Sequence, residues 1–248
     1  MIAEERQKAL LAVLSKSEYT TFGKLFASFP DISQSTLRRD LHALTAQGKV
    51  ILLRGGAKLP DKENRYDLPI DSKLHINTDS KHTMAAYASN LVNDSDVIFL
   101  DSSTSVIPIL QFIANKDVKI VTAGVYTALE AMRLGLDCVL VGGDVRSDVG
   151  SVVGPVADEQ LSRMHFNVSF MSSNGFSREH GISTPHAEEA SKIKAVLKNS
   201  DRAYFLLDKS KAGLSFTYKA ANLICANVIS NEPNGLADGC ASFTVAKK

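Results

Sequence analysis

The chain has 248 residues, of which 44% are hydrophobic and 22% are charged, and its formal net charge is +1. These values are typical of a soluble globular protein, and they exclude both a disordered chain and a protein that coats nucleic acid along its whole length. The charge is unevenly divided, because residues 1–60 hold nine Lys/Arg against five Asp/Glu. A basic N-terminal part on a mildly acidic remainder favours DNA binding at one end.

Targeting and redox signals are weak in this sequence. Residues 1–14 carry four charged side chains where a signal peptide would be apolar, and no run approaches the ~18 apolar residues of a membrane span. We therefore expect a cytoplasmic protein with no membrane partner. The three cysteines form no close pair and no metal-ligand spacing, which predicts reduced thiols, no metal site and no cofactor: Cys138, Cys225 and Cys240.

Two apolar repeats predict the first two helices. The core face of the first is formed by Ile2, Leu10, Leu11 and Leu14. The core face of the second, which begins near Thr20, is formed by Phe22, Leu25, Phe26 and Phe29. Pro30 and Asp31 then predict a tight turn.

A third helix is predicted from Ser33 to Leu44. Leu37, Leu41 and Leu44 line one face at the i, i+4, i+7 spacing, and Ser33 can act as the N-cap. The opposite face is centred on Ser35, Arg39 and His42, with Thr36 and Arg38 at its flanks. Hydroxyls near the helix start and arginines one turn later suit a helix that enters the DNA major groove, although the same face could simply be solvated.

The residues that follow predict a wing beside this helix. Gly48 is a natural C-cap, Val50 to Leu53 form a short apolar strand, and Arg54-Gly55-Gly56 is a flexible basic turn. Helix, helix, turn, helix and wing together indicate a winged helix-turn-helix domain over residues 1–57. Its expected DNA contacts are Ser33, Gln34, Ser35, Thr36, Arg38, Arg39, His42 and Arg54.

Residues 58–72 contain Pro60, Pro69 and a dense set of charges, which predicts a linker. From residue 73 to 248, short apolar runs alternate with amphipathic stretches. They predict strands at 97–100, 118–121, 138–141, 168–171, 203–207 and 223–229, and helices at 84–92, 103–114, 125–134, 155–161 and from Pro185. This alternation indicates an α/β domain with a parallel sheet covered on both faces.

Ligands of such sheets bind outside the carboxyl ends of the strands. Hydroxyls at a helix start, glycine backbone and lysines suit a phosphate, while carboxylate and amide groups suit sugar hydroxyls. A Gly-Gly pair after a strand is by itself most often only a tight turn. The predicted effector-binding residues at the strand ends are Asp101, Ser102, Ser103, Thr104, Ser105, Thr122, Gly142, Gly143, Asn174, Gly175, Asp208, Lys209 and Lys211.

Several motifs resemble one family. ERQKALLAVL, STLRRDLHALTAQGKV and RGGA resemble the N-terminal domain of the DeoR family of bacterial transcriptional regulators. IFLDSSTS, KIVTAG, LVGGDVRSDVGSVVGP, MSSNGFSREHGISTPHAEEASKIK and LLDKSKAG are similar to the motifs of its C-terminal effector domain. The resemblance implies a fold shared with ribose-5-phosphate isomerases and CoA transferases. It also implies a homodimer or homotetramer that binds operator DNA as a repressor of carbohydrate-catabolism genes and is released by a phosphorylated sugar.

Two other functions are compatible with the C-terminal residues. A sugar-phosphate isomerase could use the Asp208, Lys209 and Lys211 cluster for general-base chemistry, although such an enzyme needs no DNA-binding module. A regulator with an inert C-terminal pocket is the second alternative.

Overall fold

The structure is a computed structural model that describes residues 2–17, 19–46, 49–59 and 70–247. The chain divides into two compact units between Thr78 and Asp79. Of the segment predicted as a linker, residues 60–69 lie outside the described residues, as does Gly48, the predicted C-cap. Among the described residues, no helix combines the length and apolar composition that crossing a bilayer requires.

The first unit is a winged helix-turn-helix. Its helices are α1 (Ala3–Leu14), α2 (Phe22–Ala27), α3 (Gln34–Ala46) and α4 (Ile70–Leu74), and its strands are β1 (Thr20–Thr21), β2 (Ile51–Leu53) and β3 (Gly56–Lys58). The strands form an antiparallel sheet in the order β1-β3-β2. The predicted third helix is confirmed, and the hydroxyl of Ser33 caps it by accepting a hydrogen bond from the Thr36 backbone N–H at 3.2 Å.

The predicted apolar faces build the core of this unit, with one exception. Leu37, Leu41 and Leu44 are buried against residues of α1 and α2. Ile2 is 65% exposed, so its prediction as a core residue is wrong. The reason is that α1 begins at Ala3, which makes Ile2 the N-cap and places its side chain ahead of the helix.

The second unit contains a parallel sheet, as the sequence predicts, and the sheet has seven strands where six were predicted. They are β4 (Val97–Leu100), β5 (Lys119–Thr122), β6 (Cys138–Leu140), β9 (Phe166–Met171), β12 (Ser200–Leu206), β14 (Asn227–Ser230) and β15 (Ser242–Val245). Their order is β15-β14-β12-β9-β4-β5-β6. Helices α5 (Thr78–Ser89), α6 (Ile109–Ile113), α7 (Val125–Arg133), α8 (Pro155–Ser162) and α9 (Ala187–Lys198) alternate with the strands.

Both faces are buried at the central strands of the seven-stranded sheet, whereas the edge strand β6 is partly exposed. Along β4, Ile98 and Leu100 belong to one apolar cluster and Phe99 to another, so successive side chains enter opposite layers. Two smaller sheets supplement this core. A hairpin pairs β7 (Asp144–Arg146) with β8 (Ser151–Val153), and a three-stranded sheet joins β10 (Gly175–Ser177), β11 (Gly181–Thr184) and β13 (Tyr218–Ala221).

Two predicted elements begin several residues later in the structure. The helix predicted from residue 103 begins only at Ile109, because Pro108 lacks an N–H and disfavours helical backbone at the residue before it. The last predicted strand begins at Asn227, and residues 223–225 form a 3₁₀ turn instead. The three cysteines are free thiols, as predicted.

Gly56 shows how tightly the wing closes on the helices. A Cβ atom on Gly56 would lie 2.4 Å from the carbonyl oxygen of Thr20, whereas a Cβ on Gly23 in α2 meets nothing within 4 Å. We predict that Gly56→Ala destabilises the first unit by about 1–3 kcal/mol through overpacking. Gly23→Ala should stabilise it by roughly 0.5–1 kcal/mol through helix propensity. Urea denaturation with hydrogen exchange read at α2 and α3 measures both, and equal midpoints for the two variants would contradict the prediction.

Candidate functional site

The predicted effector residues follow five strands that are adjacent in the sheet. These strands are β12, β9, β4, β5 and β6, so their carboxyl ends form one continuous edge. From β4 the chain proceeds to β5 and β6 on one side, and then crosses to β9 on the other. The strand order therefore reverses between β4 and β9, and this is the position where open α/β sheets bind ligands.

A fully buried lysine lies at this position. The ammonium of Lys192, on α9, is 2.9 Å from Asp101 Oδ1 and 2.7 Å from Glu189 Oε2. It also donates to the hydroxyls of Ser102 at 3.0 Å and Ser151 at 2.8 Å. Four acceptors from three separate segments thus surround three ammonium protons. We call Lys192, Asp101, Glu189, Ser102 and Ser151 the Lys192 cluster.

Electrostatics keeps Lys192 charged despite its burial. Burial alone lowers the pKa of a lysine, but the carboxylates of Asp101 and Glu189 outweigh it and raise the pKa of Lys192 above its usual value. The resulting stabilisation is complete below the unfolded-state pKa of a lysine, and it is lost only as pH rises through the higher folded-state value. The Lys192 cluster is therefore intact at neutral pH.

Lys211 is a second cation at the same edge, in a different environment. Its Nζ donates to Ser172 Oγ at 2.8 Å, and this is its only hydrogen bond to the described residues. Burial lowers the pKa of Lys211, although the nearby carboxylates of Asp208 and Asp101 act in the opposite direction. Two of its three N–H donors therefore remain for a ligand.

The hydroxyls of the β4 loop lie beside the Lys192 cluster. Thr104 and Ser105 are buried, and Ser103 Oγ accepts a hydrogen bond from the Ser105 backbone N–H at 3.2 Å. Asp208 is buried as well, and its Oδ1 accepts hydrogen bonds from the backbone N–H and the hydroxyl of Ser210. The structure thus brings residues 101–105, Asp208 and Lys211 to the switch point.

Other predicted residues serve local structure. Thr122 is fully buried and donates to the Leu100 carbonyl at 2.6 Å, while the backbone N–H of Gly142 donates to Gln160 Oε1 at 3.0 Å. Asn174 Oδ1 accepts from Thr184 Oγ1 at 3.1 Å. The structure does not bring Lys209 into the cluster, because its exposed ammonium pairs with Glu232 at 2.8 Å.

The two predicted glycines next to these residues have backbone roles. Gly143 has a φ of 148° and follows Gly142 into the β7–β8 hairpin, where a Cβ would meet the carbonyl of Val153 at 2.7 Å. Gly175 begins β10, where a Cβ would lie 2.6 Å from the Leu214 carbonyl oxygen. Both positions exclude side chains so that neighbouring backbones can approach.

Sequence reasoning missed three members of the Lys192 cluster: Ser151, Glu189 and Lys192. Lys192 and Glu189 lie in a helix where charged residues ordinarily face solvent, and Ser151 lies in a hairpin that was not predicted. A weak signal existed, because Ala190, Ile193 and Val196 mark the buried face of α9 and Lys192 lies next to it on the helix.

The predicted DNA face of α3 is exposed in the first unit. Ser35, Arg39 and His42 are exposed, and Ser33 shares hydrogen bonds with the hydroxyls of Ser35 and Thr36 at 2.9 and 2.8 Å. Gln34 is also exposed. Arg54 lies exposed in the turn between β2 and β3, where its carbonyl accepts a hydrogen bond from the Tyr19 hydroxyl at 3.3 Å.

One acidic residue of α3 has an internal role. Asp40 is buried, and its carboxylate pairs with the Arg6 guanidinium of α1 at 2.7 Å. The pKa of Arg6 is raised by this hydrogen bond. The pair fixes α3 on α1, so the face with Arg39 is held outward.

Comparison with known families gives an identity to both units. Residues 6–63 match the DeoR-like helix-turn-helix domain, and residues 76–232 match the DeoR C terminal sensor domain. The chain belongs to the DeoR family. It is accordingly a DNA-binding transcriptional regulator with a sensor domain.

Relatives in this family are similar to the chain over most of its length. The chain is 30% identical to the uncharacterized HTH-type transcriptional regulator FruR of Bacillus subtilis, over 100% of this chain and 98% of the relative. It is 28% identical to the HTH-type transcriptional repressor GlcR of the same organism, over 90% and 86%. It is 30% identical to the lactose phosphotransferase system repressor of Streptococcus mutans, over 73% of each.

Among solved structures, the chain is similar to ribose 5-phosphate isomerase A of Methanocaldococcus jannaschii. The TM-score is 0.41 with 18% identity, over 55% of each chain. A translation initiation factor eIF-2B of Pyrococcus horikoshii is similar over 86% of this chain and 82% of the other, with a TM-score of 0.45 and 13% identity.

The Lys192 cluster generates a stability prediction. Lys192→Met removes the ammonium and leaves the carboxylates of Asp101 and Glu189 buried without a cation, which should cost about 3–5 kcal/mol. Lys194→Met is the matched control, because Lys194 is exposed on the same helix and should change stability little. Thermal and urea unfolding at pH 7 measure the difference. Equal stability of the two variants would show that the Lys192 charge is not required.

Proposed function

We propose that this DeoR family regulator represses carbohydrate-catabolism genes and leaves its operator when a phosphorylated sugar binds at the carboxyl edge of the sheet. Two observations in one chain carry the proposal. The predicted DNA face of α3 is exposed, and the switch point of the sheet holds Lys211 beside Asp101 and Asp208. The names of its relatives support the same direction, since they include the repressor GlcR and a lactose phosphotransferase system repressor.

The two lysines divide the chemistry of the sensor site. Lys192 is surrounded by four acceptors and is fully buried, so it holds the site together. Lys211 retains donors for a phosphate, with the hydroxyls of residues 102–105 close to the same edge. Asp101, Asn174 and Asp208 are the groups that we propose to accept hydrogen bonds from sugar hydroxyls.

Sensing rather than catalysis fits this geometry best. A sugar-phosphate isomerase needs no DNA-binding unit, and Asp208 Oδ1 already accepts two hydrogen bonds from Ser210. Asp101 is likewise held by Lys192. We therefore propose no enzymatic activity, and we place the protein in the cytoplasm with its DNA. Incubation with ribose 5-phosphate and related sugar phosphates should give no turnover, and turnover would support an isomerase instead.

Operator binding and release test the proposal directly. A duplex selected from a random-sequence pool serves as the operator, and a panel of sugar phosphates is titrated against the complex. The parent should bind the duplex and release it with at least one sugar phosphate. A parent that binds no duplex sequence selectively would refute the regulator.

Lys211→Ala should convert the parent into a super-repressor. The variant loses a charge-assisted contact to the phosphate but keeps its DNA-binding unit, so it should bind the operator normally and need more ligand for release. A hundredfold weaker response corresponds to about 2.7 kcal/mol of coupling. Lys209→Ala is the matched control, because Lys209 pairs with Glu232 away from the site. Equal release of parent and Lys211→Ala by the same ligand would remove Lys211 from the site.

We also propose that the protein is a homodimer or homotetramer assembled through the second unit. One winged helix offers few DNA contacts at cellular salt, and regulators of this kind gain affinity by reading two half-sites. Light scattering at micromolar concentration should show at least a dimer, and the selected duplex should contain two related half-sites. A monomer both with and without DNA would contradict this assembly.

A further inference from the structure

The side chain of Arg38 contacts the neighbouring helix α2. Its guanidinium carbon lies 5.0 Å from the ring centroid of Phe22 and 5.2 Å from that of Phe26, both on α2. The two rings are nearly parallel, at 11°, with centroids 5.7 Å apart. We call them the Phe22/Phe26 platform. Cations are attracted to the faces of aromatic rings, so the platform fixes the position of the guanidinium.

The N–H donors of this guanidinium bind no other group among the described residues. Among the described residues, Arg38 makes no hydrogen bond and no ion pair, and it remains exposed. The platform lies against the guanidinium carbon, and the N–H groups lie at the edges of the planar guanidinium. A guanidinium held in this way is prepared to bind an oxyanion with two parallel hydrogen bonds.

The location of the platform indicates which oxyanion. In helix-turn-helix proteins the helix before the recognition helix crosses the DNA backbone, while the recognition helix places its N-terminal residues against base edges. Because Arg38 is drawn towards α2, its guanidinium lies on the side of the phosphates. Arg39 follows about 100° around the helix, is exposed and has no ring contact in the structure.

We propose that Arg38 is a phosphate clamp positioned by the Phe22/Phe26 platform, and that reading of bases by α3 arginines falls to Arg39. The proposal rests on the DNA-binding function proposed above. It assigns phosphate binding and base recognition to two adjacent arginines. Phe22 and Phe26 are then positioning residues for DNA binding, although neither carries a charge or a polar group.

The test compares a duplex selected by the parent with a scrambled duplex of the same composition, at several KCl concentrations. Arg38→Ala should weaken binding to both duplexes by the same factor, and the slope of log K against log salt should become shallower by about 1. Base preference should stay unchanged. Arg39→Ala should weaken binding to the selected duplex by roughly 5- to 150-fold, relax preference at one position and leave the scrambled duplex largely unaffected.

Phe26→Leu tests the platform itself. It keeps every charge, so the salt slope should be preserved while affinity for both duplexes falls several-fold. Arg163→Ala, which removes the exposed arginine that caps the C-terminus of α8, is the control for a change in net charge and should bind like the parent. Circular dichroism of each variant checks that the helices are retained. If Arg38→Ala loses helical signal, Arg38→Lys replaces it, and should keep the slope but lose affinity for both duplexes.

The outcomes separate the inference from the function on which it rests. A parent that discriminates no sequence refutes the DNA-binding proposal. A parent that binds selectively, with an Arg38→Ala variant that relaxes base preference or binds the scrambled duplex normally, overturns the phosphate clamp and leaves the regulator intact.

Discussion

The carboxyl edge of the sheet depends on the burial of one charge. An ammonium group without exposed surface is stable only beside anions and acceptors, because its transfer out of water costs several kcal/mol. Lys192 obtains them from the end of β4, from the β7–β8 hairpin and from its own helix. The positions of these three segments therefore depend on one another, because each supplies part of the surroundings of the buried ammonium. The polar site is built around an ion cluster whose cation has an acceptor for each of its three protons.

The second lysine of this edge has the opposite character. Burial opposes the charge of Lys211, and the nearby carboxylates do not fully restore its pKa. In the proposed function, a bound phosphate would supply the negative charge that stabilises the ammonium of Lys211. The favourable binding free energy is therefore concentrated at this residue. A ligand shifts an equilibrium only through its differential affinity for two states, and a cation that is incompletely neutralised provides such a difference. In the function proposed above, Lys192 maintains the shape of the site and Lys211 responds to the ligand.

Local patterns predicted much of this molecule, because periodicity and strand ends are local properties. The apolar run 97–100 coincides with β4, and Leu37, Leu41 and Leu44 identified the buried face of α3. The late start of α6 was also available from Pro108. The two smaller sheets of the second unit and β15 could not be predicted, because strands of three or four residues gain their partners from tertiary packing. Lys192 was missed for a related reason: its partner Asp101 is distant in sequence, and a charged helical residue ordinarily faces water.

The order of these segments along the chain has a consequence during synthesis. The contacts that hold α3 and the wing lie within residues 2–59, whereas the Lys192 cluster needs β4, the hairpin and α9, and Lys211 follows still later. N-terminal domains generally fold first as the ribosome adds ~5–20 residues per second. A growing chain therefore has a complete recognition helix on the order of ten seconds before the carboxyl edge of its sheet exists. During that interval each new molecule can meet DNA before its sensor domain is complete.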